Sequence, residues 1–179
     1  MKIAYLVHST STDNESGIRS GWSDPELSLA GHQQARSLAQ VFQNCRFDAI
    51  FVSDLTRARQ TASVAFPGQA VRIEPRLREL NYGELNGKRR ACFAHPPGWE
   101  IRNRYPGGEN CLDVQARVHS LLLDLARENP EQRVMFVSHR YPQLALEVIC
   151  NSSSWEQAIE QDWRETGIWQ PSWEYQFQV

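Results

Sequence analysis

Three short apolar runs constrain this chain most, because each one ends abruptly at polar residues. A short, continuous apolar run is typical of a strand buried on both faces of a parallel sheet. The first run ends at His8, the second at Ser53 and the third at Ser138 and His139. The carboxyl ends of parallel strands share one edge of the sheet, where ligands bind, so these polar groups could converge there. The predicted strands are residues 3–7, 48–52 and 134–137.

Segments with helical periodicity alternate with these strands. Ser28 is a good N-cap for a helix with an apolar face, and Asn110 with Asp113 can cap a longer one. The alternation predicts an α/β fold: a three-layer sandwich with a mostly parallel central sheet and helices on both faces. The whole chain, residues 1–179, is expected to form a single domain. The other predicted elements are a helix carrying Leu55, Ala58, Ala62 and Ala65, a strand Val71–Ile73, an irregular region 75–109, a helix from Pro142, a short helix 155–164 and an edge strand 173–179.

Composition argues against several classes of function. The net charge of −2 at pH 7 disfavours broad electrostatic binding to nucleic acid or to anionic membranes. No apolar stretch approaches the roughly 20 residues of a membrane helix, and the first residues enter a strand directly instead of forming a signal peptide, so we expect a cytoplasmic protein. Histidines and cysteines lack metal-ligand spacing, and no glycine-rich nucleotide motif occurs, so we expect no metal and no cofactor.

Five segments carry a more specific signal, because they follow one another in a fixed order. They are residues 21–35, 53–62, 77–87, 106–109 and 137–139. In this order they resemble the histidine phosphatase superfamily, which includes cofactor-dependent phosphoglycerate mutases and many small phosphomonoesterases. The resemblance covers most of the chain. It implies a phosphoglycerate mutase-like fold and chemistry on a phosphoryl group through a phosphohistidine.

The resemblance also implies a role for each of five polar residues. The imidazole of His8 would attack phosphorus, and Glu79 would protonate the leaving oxygen and then accept a proton from water. Arg57 and His139 would hold the phosphoryl oxygens, because positioning and electrostatics carry most of the catalysis in phosphoryl transfer. Asn14 would add a neutral donor. Taken alone, each residue also fits an ordinary structural role as a cap, a turn residue or a solvated side chain.

The first motif departs from the family's pattern, which has Arg-His-Gly after the first strand. Ungapped spacing back from Gly21 places His8 at the nucleophile, Val7 at the arginine, Ser9 at the glycine and Asn14 at the family's asparagine. A shift of one residue would instead place His8 at the arginine and Ser9 at the nucleophile. The spacing favours the first alignment.

Loss of that arginine removes a charge-assisted contact to phosphate, which costs on the order of a few kcal/mol. We therefore expect another group to replace it. The candidates are Arg19 in the loop after the first strand, Arg140, which stands where the family usually has glycine, and the hydroxyls of Ser9, Thr10 and Ser11.

Residues 88–105 combine basic and aromatic side chains, with Glu100 as the one acid. The functional interpretation is a lid or insertion that attracts an anionic substrate and stacks on its apolar part. The alternative is a solvated basic loop. The side chains in question are Lys88, Arg89, Arg90, His95, Trp99, Arg102, Arg104 and Tyr105.

Three functions stay open at this point. The leading hypothesis is a phosphomonoesterase that acts on a small phosphorylated metabolite. Val7 supports the second, a catalytically impaired family member that binds a phosphorylated ligand or partner. The third is a mutase or another non-hydrolytic reaction in the same pocket. The sequence leaves a homodimer open.

Overall fold

A five-stranded sheet lies at the centre of the molecule in the computed structural model, which describes residues 1–163 and 172–178. The strands of the chain are β1 (Lys2–Val7), β2 (Ile18–Arg19), β3 (Ala49–Val52), β4 (Val71–Ile73), β5 (Lys88–Arg89), β6 (Arg133–Ser138) and β7 (Ser172–Gln176). The central sheet has the order β4-β3-β6-β1-β7, and all of its strands are parallel except β7, which pairs antiparallel with β1. β2 and β5 form a separate antiparallel ribbon.

Helices cover both faces of this sheet, as the sequence predicts. They are α1 (Thr12–Glu15), α2 (Leu29–Phe42), α3 (Thr56–Ala65), α4 (Cys111–Glu128), α5 (Arg140–Asn151) and α6 (Trp155–Glu160). Along β1, Leu6 packs into the core beneath α2 and α3, whereas Tyr5 packs into the core beneath α4 and α5. Both are fully buried, and full burial of a large apolar side chain stabilises the fold by about 1.5–3 kcal/mol. None of the helices in the described residues has the length and apolar character needed to cross a membrane.

The ends of several elements differ from the predictions. α5 begins at Arg140, two residues before Pro142, because a proline is tolerated in the first turn, where its missing N–H would have no helical partner. α6 ends at Glu160 and β7 at Gln176, so both are shorter than predicted; residues 164 and 179 lie outside the described part of the chain. The region 75–109 is not wholly irregular, since it contains β5 and four 3-10 turns.

Two helices that face the same edge of the sheet are capped by carboxylates from distant segments. The residue before α3, Leu55, has no capping side chain, and Asp24 accepts the backbone N–H of Thr56 at 2.6 Å instead. His139 likewise offers no cap to α5, and Glu79 accepts the N–H groups of its first two residues. These contacts hold Asp24 and Glu79 near the edge where β3 and β6 end.

Candidate active site

A cavity of about 470 Å³ opens at the carboxyl ends of β1 and β6. His8, Arg57 and Glu79 all line it, although they come from three separate parts of the chain. His139 is not in the lining, but its ring lies directly beside that of His8, with the ring centroids 5.0 Å apart. The structure therefore gathers these four predicted side chains in one place. The full lining is Val7, His8, Ser9, Thr10, Asn14, Ile18, Arg19, Ser20, Gly21, Gln34, Leu38, Arg57, Glu79, Tyr82, Arg90, Arg140 and Trp163.

His8 follows the last residue of β1, and its backbone N–H donates to the carbonyl of Ser138 at 2.9 Å. Its Nδ1 lies 2.7 Å from the carbonyl oxygen of Ser9. Because a carbonyl can only accept, Nδ1 carries the proton, and the neutral ring keeps a lone pair on Nε2. That Nε2 accepts a long hydrogen bond of 3.3 Å from Nε of Arg57. The nitrogen available for attack therefore points towards the guanidinium.

Arg57 lies in the first turn of α3 and is 1% exposed. Its Nη1 donates to the carbonyl of Ser23 at 3.0 Å and its Nη2 to the carbonyl of Gly21 at 2.8 Å. Burial lowers the pKa of Arg57, and the nearby carboxylates of Glu79, Asp24 and Asp13 act against that shift. Within residues 1–163 and 172–178 none of the ion pairs includes Arg57. The site thus holds a rigid, buried cation whose direct hydrogen-bond partners are neutral.

His139 is completely buried at the end of β6. Its Nε2 lies 2.9 Å from Oγ of Ser53, which also accepts the N–H of Leu55. Burial, together with the positive charge of Arg57, holds the pKa of His139 well below its ordinary value, so the ring is neutral at pH 7. Its Nδ1 has no hydrogen-bond partner in the described structure. A buried polar atom without a partner costs about 1–3 kcal/mol, which a ligand oxygen would recover.

Glu79 presents its carboxylate to the cavity from the segment that caps α5. The backbone N–H groups of Leu80 and Tyr141 donate to its Oε1 at 2.9 and 3.1 Å, and that of Arg140 donates to Oε2 at 3.3 Å. The backbone carbonyl of Glu79 accepts from Arg117, which is itself paired with Glu109 at 3.0 Å. Hydrogen bonds to both its carboxylate and its backbone carbonyl therefore fix the position of Glu79.

Of the remaining residues predicted near the nucleophile, Ser9, Thr10 and Asn14 also line the cavity, whereas Ser11 does not. Ser9 donates its N–H to Oγ1 of Thr61 at 3.0 Å, and its own Oγ is buried without a partner in the described residues. Asn14 uses its Oδ1 to accept from the backbone and hydroxyl of Ser11, which closes the capping box of α1. Its side-chain oxygen thus has the structural role that the sequence left open.

Cations approach the cavity from two further directions. Arg19 on β2 places its guanidinium over the ring of Phe93, 4.6 Å from the centroid. Arg140 at the start of α5 donates from Nε to Asp162 at 2.5 Å. Both candidates for the missing charge therefore line the same cavity as His8, and so does Val7, the residue that stands at the arginine position.

Residues 88–105 are only partly a solvated basic loop. Arg90, one of the basic side chains that the sequence assigns to the possible lid, lines the cavity. Arg104 pairs with Asp113 instead, and His95 stacks on Trp99 with the centroids 3.8 Å apart. Tyr82 and Trp163 also line the cavity without having been predicted to do so; the only sequence signal was their aromatic character, which fits a core equally well.

Comparison with known proteins adds to this geometry. The chain is 31% identical over 149 residues to the 2,3-bisphosphoglycerate-dependent phosphoglycerate mutase of Methylobacterium sp. (strain 4-46), covering 74% of this chain and 72% of that protein. It is 28% identical over 156 residues to phosphoserine phosphatase 1 of Hydrogenobacter thermophilus, covering 82% and 74%.

A solved structure of a mycobacterial glucosyl-3-phosphoglycerate phosphatase, in complex with VO3, has a similar fold. The TM-score is 0.77 at 30% identity, and the alignment covers 88% of this chain and 85% of that one. The family model of the histidine phosphatase superfamily (branch 1) matches residues 5–170. This chain therefore belongs to the histidine phosphatase superfamily.

Proposed function

We propose that this protein is a phosphomonoesterase that hydrolyses a small phosphorylated metabolite through a phosphohistidine at His8. The observation that carries the proposal is the unprotonated Nε2 of His8, which faces the buried guanidinium of Arg57 across a hydrogen bond of 3.3 Å. A nucleophile beside a fixed cation suits a dianionic phosphoryl group, because the cation stabilises charge on the oxygens while the lone pair meets phosphorus.

In the first step Nε2 of His8 forms a bond to phosphorus while the bond from phosphorus to the leaving oxygen breaks. The leaving oxygen takes a proton from the carboxyl group of Glu79, so the alcohol departs neutral. Glu79 becomes ionised in this step, and the N–H groups of Leu80, Arg140 and Tyr141 that point at it stabilise the carboxylate formed.

In the second step a water oxygen attacks phosphorus on the opposite side from His8. The carboxylate of Glu79 accepts a proton from that water, the bond between Nε2 and phosphorus breaks, and inorganic phosphate leaves. His8 returns to its neutral form and Glu79 to its protonated form. One carboxyl group therefore serves as acid and then as base, which is why it lies on the same cavity as the nucleophile.

Arg57 and His139 support this proposal as oxyanion ligands. The hydrogen-bonded neighbours of Arg57 are backbone carbonyls and His8, which leave its positive charge for an incoming anion. The hydroxyl of Ser53 already accepts the N–H of Leu55, so its proton is available to Nε2 of His139, and the proton of that imidazole then lies on Nδ1. A phosphoryl oxygen would give this buried N–H the acceptor it lacks.

The substrate is expected to carry a second negative group besides its phosphoryl group. Arg19 and Arg90 line the cavity on the β2–β5 ribbon and on the residue after it, and neither forms an ion pair with an acidic side chain in the described part of the chain. Segment 88–105 would then be one wall of the substrate site. Phosphoserine, named for one relative, and phosphoglycerate derivatives, named for others, carry such a carboxylate.

Hydrolysis of p-nitrophenyl phosphate tests the proposal, with His8→Ala compared against the exposed His119→Ala. We expect the wild type and His119→Ala to turn over alike and His8→Ala to lose at least about 1000-fold in kcat/KM. A wild type no faster than His8→Ala would favour the impaired family member that only binds its ligand. Transfer of the phosphoryl group to a second metabolite instead of water would favour a mutase.

A further inference from the structure

The cavity contains an apolar side chain at a position where a phosphoryl site needs charge. Val7, the last residue of β1, lines the cavity directly before His8. A phosphate monoester at neutral pH carries up to two negative charges, whereas the deep part of the site, as far as the described residues go, offers the buried cation Arg57 and a neutral His139. On the proposed function, a second cation must therefore come from another element.

Three further arginines line the cavity, and they differ in how firmly they are held. Arg19 lies in a ribbon whose strands have only two residues each, and the exposed Arg90 directly follows that ribbon. Arg140 begins the twelve-residue helix α5, directly after His139. Its backbone N–H donates to the carboxylate of Glu79, so its Cα is fixed to the proposed acid.

The guanidinium of Arg140 is also held at its side-chain end. Its Nε donates to Oδ2 of Asp162 at 2.5 Å, and the side chain of Asp162 is completely buried. The same guanidinium lies over the ring of Tyr141, 5.4 Å from the centroid. Burial acts against its charge, but Tyr141 and Asp162 raise the pKa of Arg140 above its ordinary value. A guanidinium that is ion-paired with one carboxylate can still attract a second anion, because its positive charge is delocalised over a planar group.

We propose that Arg140 supplies the second positive charge of the phosphoryl site, in place of a guanidinium at position 7, and that Asp162 is its positioning residue. The charge has been moved from the end of β1 to the start of α5. Two departures from the family's pattern then have one explanation, since valine stands where arginine is usual and arginine where glycine is usual, and both line one cavity. Asp162, two residues after the end of α6, then becomes part of the site.

A charge-relocation experiment tests this assignment. Arg140→Gln should lower kcat/KM for p-nitrophenyl phosphate by about 100-fold, and the exposed Arg36→Gln should leave it unchanged. Adding Val7→Arg to Arg140→Gln should raise kcat/KM at least about tenfold above that of Arg140→Gln alone. Val7→Lys is the second variant if Val7→Arg lowers the thermal unfolding midpoint. The assignment would be overturned if the double variant folds but its kcat/KM is no higher than that of Arg140→Gln.

Asp162 is tested by a double-mutant cycle, because a positioning residue acts only through its partner. Asp162→Asn should cost about tenfold in kcat/KM and should weaken inhibition by inorganic phosphate by a similar factor. In the Arg140→Gln background the same change should have little further effect. Additive losses, or an unchanged inhibition constant for phosphate, would show that Asp162 is merely structural and would contradict its assigned role.

Failure of this inference is distinguishable from failure of the proposed function. Binding of inorganic phosphate, measured by calorimetry, does not require turnover and should be weaker in Arg140→Gln whether or not the wild type is a phosphatase. If phosphate binds equally well to Arg140→Gln and to the wild type, Arg140 is not in the phosphoryl site. A loss confined to substrates with a second anionic group would likewise overturn the proposal, because it would place Arg140 at the leaving group.

Discussion

The two walls of the cavity are built on different principles. The strand-edge wall consists of His8, which follows β1, and the buried Arg57 in the first turn of α3, and the buried ring of His139 lies directly beside that of His8. The ribbon wall consists of Arg19 and Arg90, which lie on or beside two strands of two residues each. Hydrogen bonds hold the groups of the first wall in place, whereas Arg90 on the second wall is exposed. On the proposed function, we assign the reaction chemistry to the first wall and substrate choice to the second.

The difference follows from what each wall is attached to. Strand ends are positioned by the sheet, whose register sets Val7 beside Ser138 and Val52 beside Val137. Preorganised groups stabilise a transition state without reorganising during the reaction. The ribbon is attached to the core through aromatic contacts such as that between Phe93 and Tyr82, with centroids 5.0 Å apart. Substitution of side chains on the ribbon can therefore alter which substrate fits without disturbing the central sheet.

The largest effect that tests this comparison is expected on the strand-edge wall. Arg57→Lys should lower kcat/KM by about 100-fold or more, because a lysine ammonium cannot bridge the carbonyls of Gly21 and Ser23 and also contact the phosphoryl group. Steady-state kinetics measure the loss, and Arg59→Lys on the exposed side of α3 is the matched control. Equal activities of the two variants would contradict the division between the walls.

Glu79 also lines the cavity, and the loss expected from changing the proposed acid depends on the leaving group. Glu79→Gln removes the proton donor, so kcat/KM for an alkyl phosphate should fall by about 100-fold, and the loss for p-nitrophenyl phosphate, whose leaving group needs less protonation, should be smaller. Glu84→Gln, an exposed acid on the same segment, serves as the control. The same loss for both substrates would exclude Glu79 as the acid.

A smaller effect is expected on the ribbon wall. Arg19→Gln and Arg90→Gln should each raise KM for phosphoserine by about tenfold, the value of one charge-assisted hydrogen bond, and should leave phenyl phosphate unaffected. Arg89→Gln, an exposed ribbon residue outside the cavity lining, is the control. Equal effects on both substrates would place these arginines at the phosphoryl group instead.

The smallest effect concerns stability and the buried His139. Its pKa lies well below 6.5 in the folded protein, so below that pH the unfolded chain binds a proton that the folded chain does not. The contribution of the neutral His139 to the free energy of unfolding should therefore be fully present above about pH 6.5. Below that pH the free energy of unfolding should decrease by at most about 1.4 kcal/mol per pH unit, until the pH reaches the lowered pKa of the folded protein. Urea unfolding between about pH 7.5 and about pH 5 measures this dependence of stability on pH.

His139→Gln should reduce that slope, whereas the exposed His119→Gln should leave it as in the wild type. An unchanged slope in His139→Gln would mean that this imidazole binds a proton at the same pH in the folded and the unfolded protein. That result would contradict the claim that His139 is neutral in the site.

The contrast between the walls also explains what the sequence could reveal. Apolar runs that stop at His8, Ser53 and His139 predict a parallel sheet and the grouping of these residues, because strand direction alone brings such ends together. The ion pair between Arg140 and Asp162 could not be predicted, since it joins two side chains separated by the whole of α5 and α6. The same holds for the capping of α5 by Glu79, which depends on the path of an irregular segment.

The most direct test of the central claim is the site of phosphorylation after rapid quenching. Glu79→Gln slows release of the phosphoryl group to water, so mixing it with p-nitrophenyl phosphate should trap an acid-labile phosphoryl group on a peptide that contains His8, identified by mass spectrometry. We predict phosphorylation on Nε2 of His8 and none in the variant that also carries His8→Ala. Turnover with the phosphoryl group on Ser9, or with no phosphoryl-enzyme formed, would contradict the account.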